Sequence, residues 1–85
     1  MNYTVEWSPL AVNELAAAWL EASDQWNATH VLHSLTQSLA SAPFTVGRPH
    51  GSTVRRVVLS EPIGLAFDII EDDKKVIVQS CWLVG

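Results

Sequence analysis

Residues 54–82 read VRRVVLSEPIGLAFDIIEDDKKVIVQSCW. Strand patterning runs from Val54 to Leu59, alternation is read from Ile63 to Ile70, and Lys75 to Leu83 reads as the last strand. Ser60-Glu61-Pro62 and Glu71-Asp72-Asp73-Lys74 interrupt that pattern with residues suited to tight turns. Connections this short join neighbouring strands antiparallel. The stretch therefore predicts three consecutive antiparallel strands, with Trp82 as a large apolar anchor at their end.

Upstream, residues 43–51 carry Pro43, Gly47, Pro49 and Gly51 and predict an ordered loop. Before it the period changes to that of a helix. Val12, Leu15, Ala16, Trp19 and Leu20 fall on one face, with Glu14 and Glu21 away from it. Ser8 is placed to cap this helix and Pro9 suits its first position. Ser23-Asp24 marks a break, after which Ala28, Val31, Leu32, Leu35 and Leu39 define a second apolar face running to Ala40. Pro43 keeps Ala42 out of helical geometry and ends it. Two helices joined this tightly form an antiparallel hairpin. Tyr3-Thr4-Val5-Glu6-Trp7 alternates like a strand. The order is β-α-α-β-β-β in the α+β class: a helical hairpin packed on one face of a small antiparallel sheet, with residues 1–85 as a single domain.

Composition narrows the function. With 48% hydrophobic and 16% charged residues the chain is apolar for its length, which leaves apolar surface for an interface. Four tryptophans, Trp7, Trp19, Trp26 and Trp82, are each large enough to dominate a small core or a contact patch. Trp19 and Trp26, near the helix junction, read as core, with one of them allowed at an exposed partner contact. Residues 1–42 hold Glu6, Glu14, Glu21 and Asp24 and no Lys or Arg, giving −4; residues 43–85 hold five basic and five acidic side chains, giving 0. An acidic whole argues against a general nucleic-acid binder. One cysteine, Cys81, forms no internal disulfide and fits a reducing cytoplasm. No apolar run reaches membrane-span length, so no membrane partner is expected.

The strand ending in Trp7-Ser8-Pro9-Leu10-Ala11, the helical hairpin and the tail together resemble the RelE/ParE superfamily of bacterial toxins from type II toxin–antitoxin systems. In the tail the resemblance rests on Val54-Arg55-Arg56-Val57, on Pro62-Ile63-Gly64-Leu65-Ala66-Phe67-Asp68-Ile69, and on Val76-Ile77-Val78 with Trp82. It implies a small growth-inhibiting toxin, of the kind that serves plasmid stabilisation, held inactive by a cognate antitoxin protein. One branch of the superfamily cuts messenger RNA on the ribosome and another poisons DNA gyrase. The RNA-cutting branch is similar in placing arginine on the central strand and basic or tyrosine groups near the C-terminus. Here Gly64 stands where that arginine is often found, and Ser80-Cys81-Trp82-Leu83-Val84-Gly85 contains no Arg, Lys, His or Tyr. These departures point to gyrase-type binding, or to a divergent member without toxicity, ahead of RNA cleavage.

The remaining candidates follow from residue chemistry. Arg55 and Arg56 are adjacent on a strand and so point to opposite faces. One of them then stands on the helix-free face as an anion or partner contact; the alternative is a pair of gatekeepers that solvate the strand. Arg48 and His50 precede them in the loop. Together Arg48, His50, Arg55 and Arg56 suit a phosphate or an antitoxin carboxylate, and His50, Arg55 and Arg56 are the candidates for catalysis if the chain is an unconventional nuclease. His30 and His33 lie three apart on the second helix with no third ligand at metal spacing, so no metal or other cofactor is expected. Cys81, in an apolar strand, reads as a buried inert thiol. Asp68 and Glu61 make no carboxylate pair for acid–base work, and no nucleophile elbow is present. The sequence thus predicts a toxin or toxin-like protein that binds a macromolecular target such as gyrase. The alternatives are a ribosome-dependent nuclease and a non-toxic interaction module, and the choice between monomer and homodimer stays open.

Overall fold

Ser8 and Pro9 begin a helix where the sequence places one. In the computed structural model, which describes residues 2–84, strand β1 (Thr4–Trp7) runs straight into helix α1 (Pro9–Glu21). The Ser8 hydroxyl accepts from the Ala11 backbone N–H at 3.1 Å, one of the donors a helix start leaves without a partner. The chain breaks at Ala22 and Ser23, and Asp24 caps helix α2 (Gln25–Ser41) by accepting from the Asn27 N–H at 3.0 Å. Pro43 opens a single 3₁₀ turn (Pro43–Thr45) that stops α2. No helix among the described residues is long and apolar enough to cross a membrane.

Strands β2 (Arg48–Pro49), β3 (Arg55–Ser60), β4 (Ile63–Ile70) and β5 (Lys75–Leu83) follow, and the five form one sheet in the order β1-β5-β4-β3-β2. The pairs β3–β4 and β4–β5 are antiparallel, as their short connections require. The Glu71-Asp72-Asp73 turn is a 3₁₀ turn closed by Lys74 in the left-handed region, at φ 52°. The α+β class and the element order hold, and two details correct the sequence reading. β1 pairs with β5 in parallel, so the sheet is mixed rather than wholly antiparallel. Residues 48–49, read as loop, form an edge strand with Arg48 opposite Val57 and Pro49 opposite Arg56. Two residues are too few to show an alternation, and Pro49 is tolerated because an edge position needs no N–H.

Both helices lie on one face of the sheet. The core joins Leu65, Phe67 and Ile69 of β4 and Val76, Val78 and Cys81 of β5 to Ala11 of α1 and Ala28, Leu35 and Leu39 of α2. The face of α2 is the one its sequence predicts. That of α1 is not. α1 buries Ala11 and Ala18, while Val12, Trp19 and Leu20 of the expected face stay 51%, 43% and 71% exposed, and only Leu15 of that face packs against the core. Small side chains bring α1 close to β5, where Glu14 accepts from the Ser80 hydroxyl at 2.9 Å and the Cys81 N–H at 3.2 Å. Those bonds satisfy β5 near the register shift by which it bulges against β4. Of the two tryptophans read as core with one allowed an exposed place, Trp26 takes that place at 86% exposure, and Trp19 is not buried either.

Candidate functional site

The helices cover one face of the sheet and leave the other open, and alternation along β3 divides the two adjacent arginines between them. Arg56 stands opposite Phe67, whose side chain is in the core, so it points to the helix side. There its guanidinium donates to the carbonyls of Val46 and Gly47 at 2.9 and 2.8 Å. Gly47 itself sits at φ +66°, and a Cβ on it would lie 2.8 Å from the Val57 carbonyl carbon. Arg56 therefore clips the segment before β2 onto β3. Its charge is spent on backbone carbonyls and is turned away from the open face.

Arg55 takes the open face. The β3–β4 register sets it opposite Asp68, and the two side chains pair through both carboxylate oxygens, the Nη2–Oδ2 contact being 3.2 Å. Asp68 also accepts from Gln79 Nε2 at 3.2 Å, so β3, β4 and β5 are laced by one network. The hydrogen bond to Asp68 raises the Arg55 pKa against an opposing desolvation, which keeps the guanidinium charged and paired. Local charge at this point is balanced. An incoming anion meets Arg55 only in competition with Asp68.

Arg48 and His50 flank that network. Arg48, on β2 opposite Val57, is exposed and belongs to no ion pair among the described residues. The His50 backbone N–H donates to the Arg55 carbonyl at 2.9 Å, which fixes the loop beside Arg55. His50 borders two hollows, one of about 670 Å³ shared with Arg48, Pro49 and Leu59, and one of about 400 Å³ shared with Ser52, Arg55 and Asp68. The fold thus gathers Arg48, His50 and Arg55 at one corner of the open face and sends Arg56 to the other side.

Toward the other end of this face, Trp82 lies across Gly64. The two are paired in register, and a Cβ built on Gly64 would run into indole Cε2 and Nε1 and lie 2.9 Å from Cζ2. The position carries glycine because an aromatic ring occupies the space any side chain would need. The ring in turn shields the strand backbone beneath it.

Other candidates fall outside this corner. His30 and His33 are exposed on α2, and no group of three or more His, Cys, Asp or Glu among the described residues is placed to hold a metal ion. Cys81 is 2% exposed, and burial, with Glu14 nearby, pushes its thiol up to about 11. Sequence reasoning missed Asp68 and Gln79 as partners of Arg55. The available signal was that Asp68 is the one charged residue in the apolar run of β4.

Comparison with known proteins fits this architecture. No protein-family model matches the sequence, and no curated protein matches it either. Solved structures do. A chain of the chromosomal ParDE system from P. aeruginosa has a TM-score of 0.71 at 15% identity, covering 98% of this chain and 97% of that one. A chain of the RelBE2 toxin–antitoxin complex from Mycobacterium tuberculosis has a TM-score of 0.73 at 16% identity, covering 99% and 100%. The isolated E. coli RelE toxin has a TM-score of 0.70 at 15% identity, covering 98% and 85%. Identity this low speaks to fold alone, and the fold is the one shared with these toxin–antitoxin chains.

Proposed function

Starting from a RelE/ParE-superfamily fold matched end to end, we propose that this chain is the toxin component of a type II toxin–antitoxin module. In this reading it acts by binding a macromolecular target of the DNA-gyrase kind and is neutralised by a cognate antitoxin. The binding corner is Arg48, His50 and Arg55, with Arg56 as its structural clip. A cytoplasmic setting goes with Cys81 as a buried free thiol.

One observation carries the preference for binding over RNA cleavage. Arg55, at the corner of the open face, is held by Asp68 in a bidentate pair, and the ring of Trp82 fills the space above Gly64. Transition-state stabilisation in phosphoryl transfer needs cations aimed at developing charge. A neutralised arginine at one end of the face and a covered glycine toward the other supply a contact surface instead.

Regulated expression in a bacterial host tests this. The expected result is growth arrest with intact transcripts and altered plasmid supercoiling, relieved by co-expression of the neighbouring open reading frame. Arg48→Ala combined with His50→Ala weakens the arrest at equal protein level. Transcript cleavage during arrest would select the nuclease reading. No arrest at any expression level would leave a non-toxic interaction module.

A further inference from the structure

The register of β2, β3 and β4 lines up the charged side chains of the corner. Arg48 pairs with Val57, two residues from Arg55 and so on the same face, and the backbone bond from His50 to Arg55 sets His50 alongside. Asp68 is the counterweight. It stands opposite Arg55, is the one charged residue of β4, and takes Arg55 Nε and Nη2 on its two oxygens while Gln79 Nε2 donates to Oδ2 at 3.2 Å. No other carboxylate pairs with Arg55 or Arg48 among the described residues, since Glu6 is held by Lys75 and Glu71 by Lys74.

This carboxylate is fixed from both sides. Asp68 lies on β4 between β3 and β5, its partners come from both neighbours, and its side chain is 16% exposed against 39% for Arg55. An outside anion that takes Arg55 must displace a carboxylate already in position and leave it partly buried with Gln79 alone. A phosphodiester chain also sets its own negative charge against that of Asp68. What the pair does offer is donors. A guanidinium has five N–H groups, and with two of them on Asp68 three remain, at balanced charge. Such donors suit uncharged acceptors, the backbone carbonyls of a protein surface. With Asp68 in place the corner holds one unbalanced positive charge, that of Arg48; without it there are two, the second released into the hollow of about 400 Å³ that His50, Ser52 and Arg55 border.

We infer that Asp68 is the specificity-determining residue of the open face. By holding Arg55 it bars polyanions from the corner and reserves that corner for a protein surface, and its removal uncovers a polyanion site made by Arg48, His50 and Arg55. The inference rests on the reading of this corner as a binding surface, but it is tested on purified protein, apart from growth arrest. A parent chain that arrests growth, with no gain from the Asp68 variants, sinks this inference alone. A parent that arrests nothing, with the gain intact, sinks the earlier reading alone.

The probe is an oligothymidylate of about 12 nucleotides, its binding followed by fluorescence anisotropy across a salt series. The parent is expected to bind it weakly. Asp68→Asn keeps the shape of the side chain and removes its charge, and affinity is expected to rise more than about tenfold. The slope of log K against log salt should steepen by about 0.7, the value for one further phosphate contact on a single strand. Asp68→Thr, which suits a strand, gives the same gain through a different side chain. Arg55→Ala added to Asp68→Asn returns affinity to that of the parent, and Arg48→Ala lowers it in the same background. Glu21→Gln makes an equal change of net charge at the end of α1, on the helix side of the sheet, and binding stays that of the parent. By NMR the Arg55 Nε–H signal shifts with the oligonucleotide in Asp68→Asn and stays in place in the parent. The inference is overturned if the parent binds as tightly as Asp68→Asn, or if Glu21→Gln brings the same gain. It is also overturned if the gain survives Arg55→Ala, or if neither Asp68 variant gains affinity.

Discussion

Replacing Gly64 with alanine tests the packing that closes the open face. The added methyl carbon has no free space, because it would overlap indole Cε2 and Nε1 and lie 2.9 Å from Cζ2 of Trp82, where ordinary carbon contacts are about 3.5–4.0 Å. The backbone of β4 is held on both sides by β3 and β5 and gives little. The half-buried ring moves instead. If it lifts off the sheet it gives up roughly half of a buried tryptophan's area, about 100 Å². At about 25 cal/mol per Å² that is about 2.5 kcal/mol, a ceiling that agrees with the usual 1–3 kcal/mol for an overpacked site. For a domain of 85 residues this corresponds to a melting temperature lower by about 14 °C at most. Thermal and urea unfolding, followed by circular dichroism, give the number. The decisive measurement is the double-mutant cycle with Trp82→Ala, which removes the clash. Gly64→Ala in that background is expected to cost nothing or to stabilise the strand slightly, since alanine outranks glycine there. A Gly64→Ala variant as stable as the parent, or a cost that is the same with and without the Trp82 ring, would refute the reasoning.

Two further expectations concern the paired arginines and the buried thiol. Arg56→Ala removes two charge-assisted bonds to the Val46 and Gly47 carbonyls and is expected to cost about 1–2 kcal/mol. Arg55→Ala loses a pair whose arginine is 39% exposed, and solvent screening holds that loss to about 1 kcal/mol or less; urea midpoints in the reverse order would sink the assignment of clip and surface pair. Cys81, raised from 9.0 to about 11, contributes stability that is full below its ordinary value and lost as pH climbs through about 11. At pH 8 the thiol should react with a disulfide reagent only on unfolding, and rapid labelling of the folded protein would show that β5 opens there.

The helix boundaries were legible in the sequence because local chemistry sets them: Ser8, Asp24 and Pro43 each act on backbone groups within one turn of themselves. The antiparallel strands were legible for the same reason, since Glu61-Pro62 and the acidic turn leave no room for another connection. What escaped was non-local. The parallel pairing of β1 with β5 depends on how the whole hairpin lies across the sheet. The orientation of α1 escaped because the sequence reading put the largest apolar side chains inside. Ala11 and Ala18 are inside instead, and their smallness is what lets Glu14 reach β5. At the candidate corner, opposite pointing of Arg55 and Arg56 follows from strand geometry alone. The side each takes and the partner each finds require the register of β3 against β4, which no local signal carries.

The seam between β1 and β5 has a consequence for how the protein comes into being. Thr4 lies beside Lys75 and Trp7 beside Val78, so β1 takes its place in the sheet only against a strand about seventy residues further along the chain. Until β5 has left the ribosome, β1 has no neighbour and the hairpin has only part of a surface to cover. A pairing so distant along the chain closes a long loop before its contacts form, which delays it relative to the local β3–β4 and β4–β5 hairpins. A chain that stops before Lys75 lacks β5, and with it the strand that β1 pairs with.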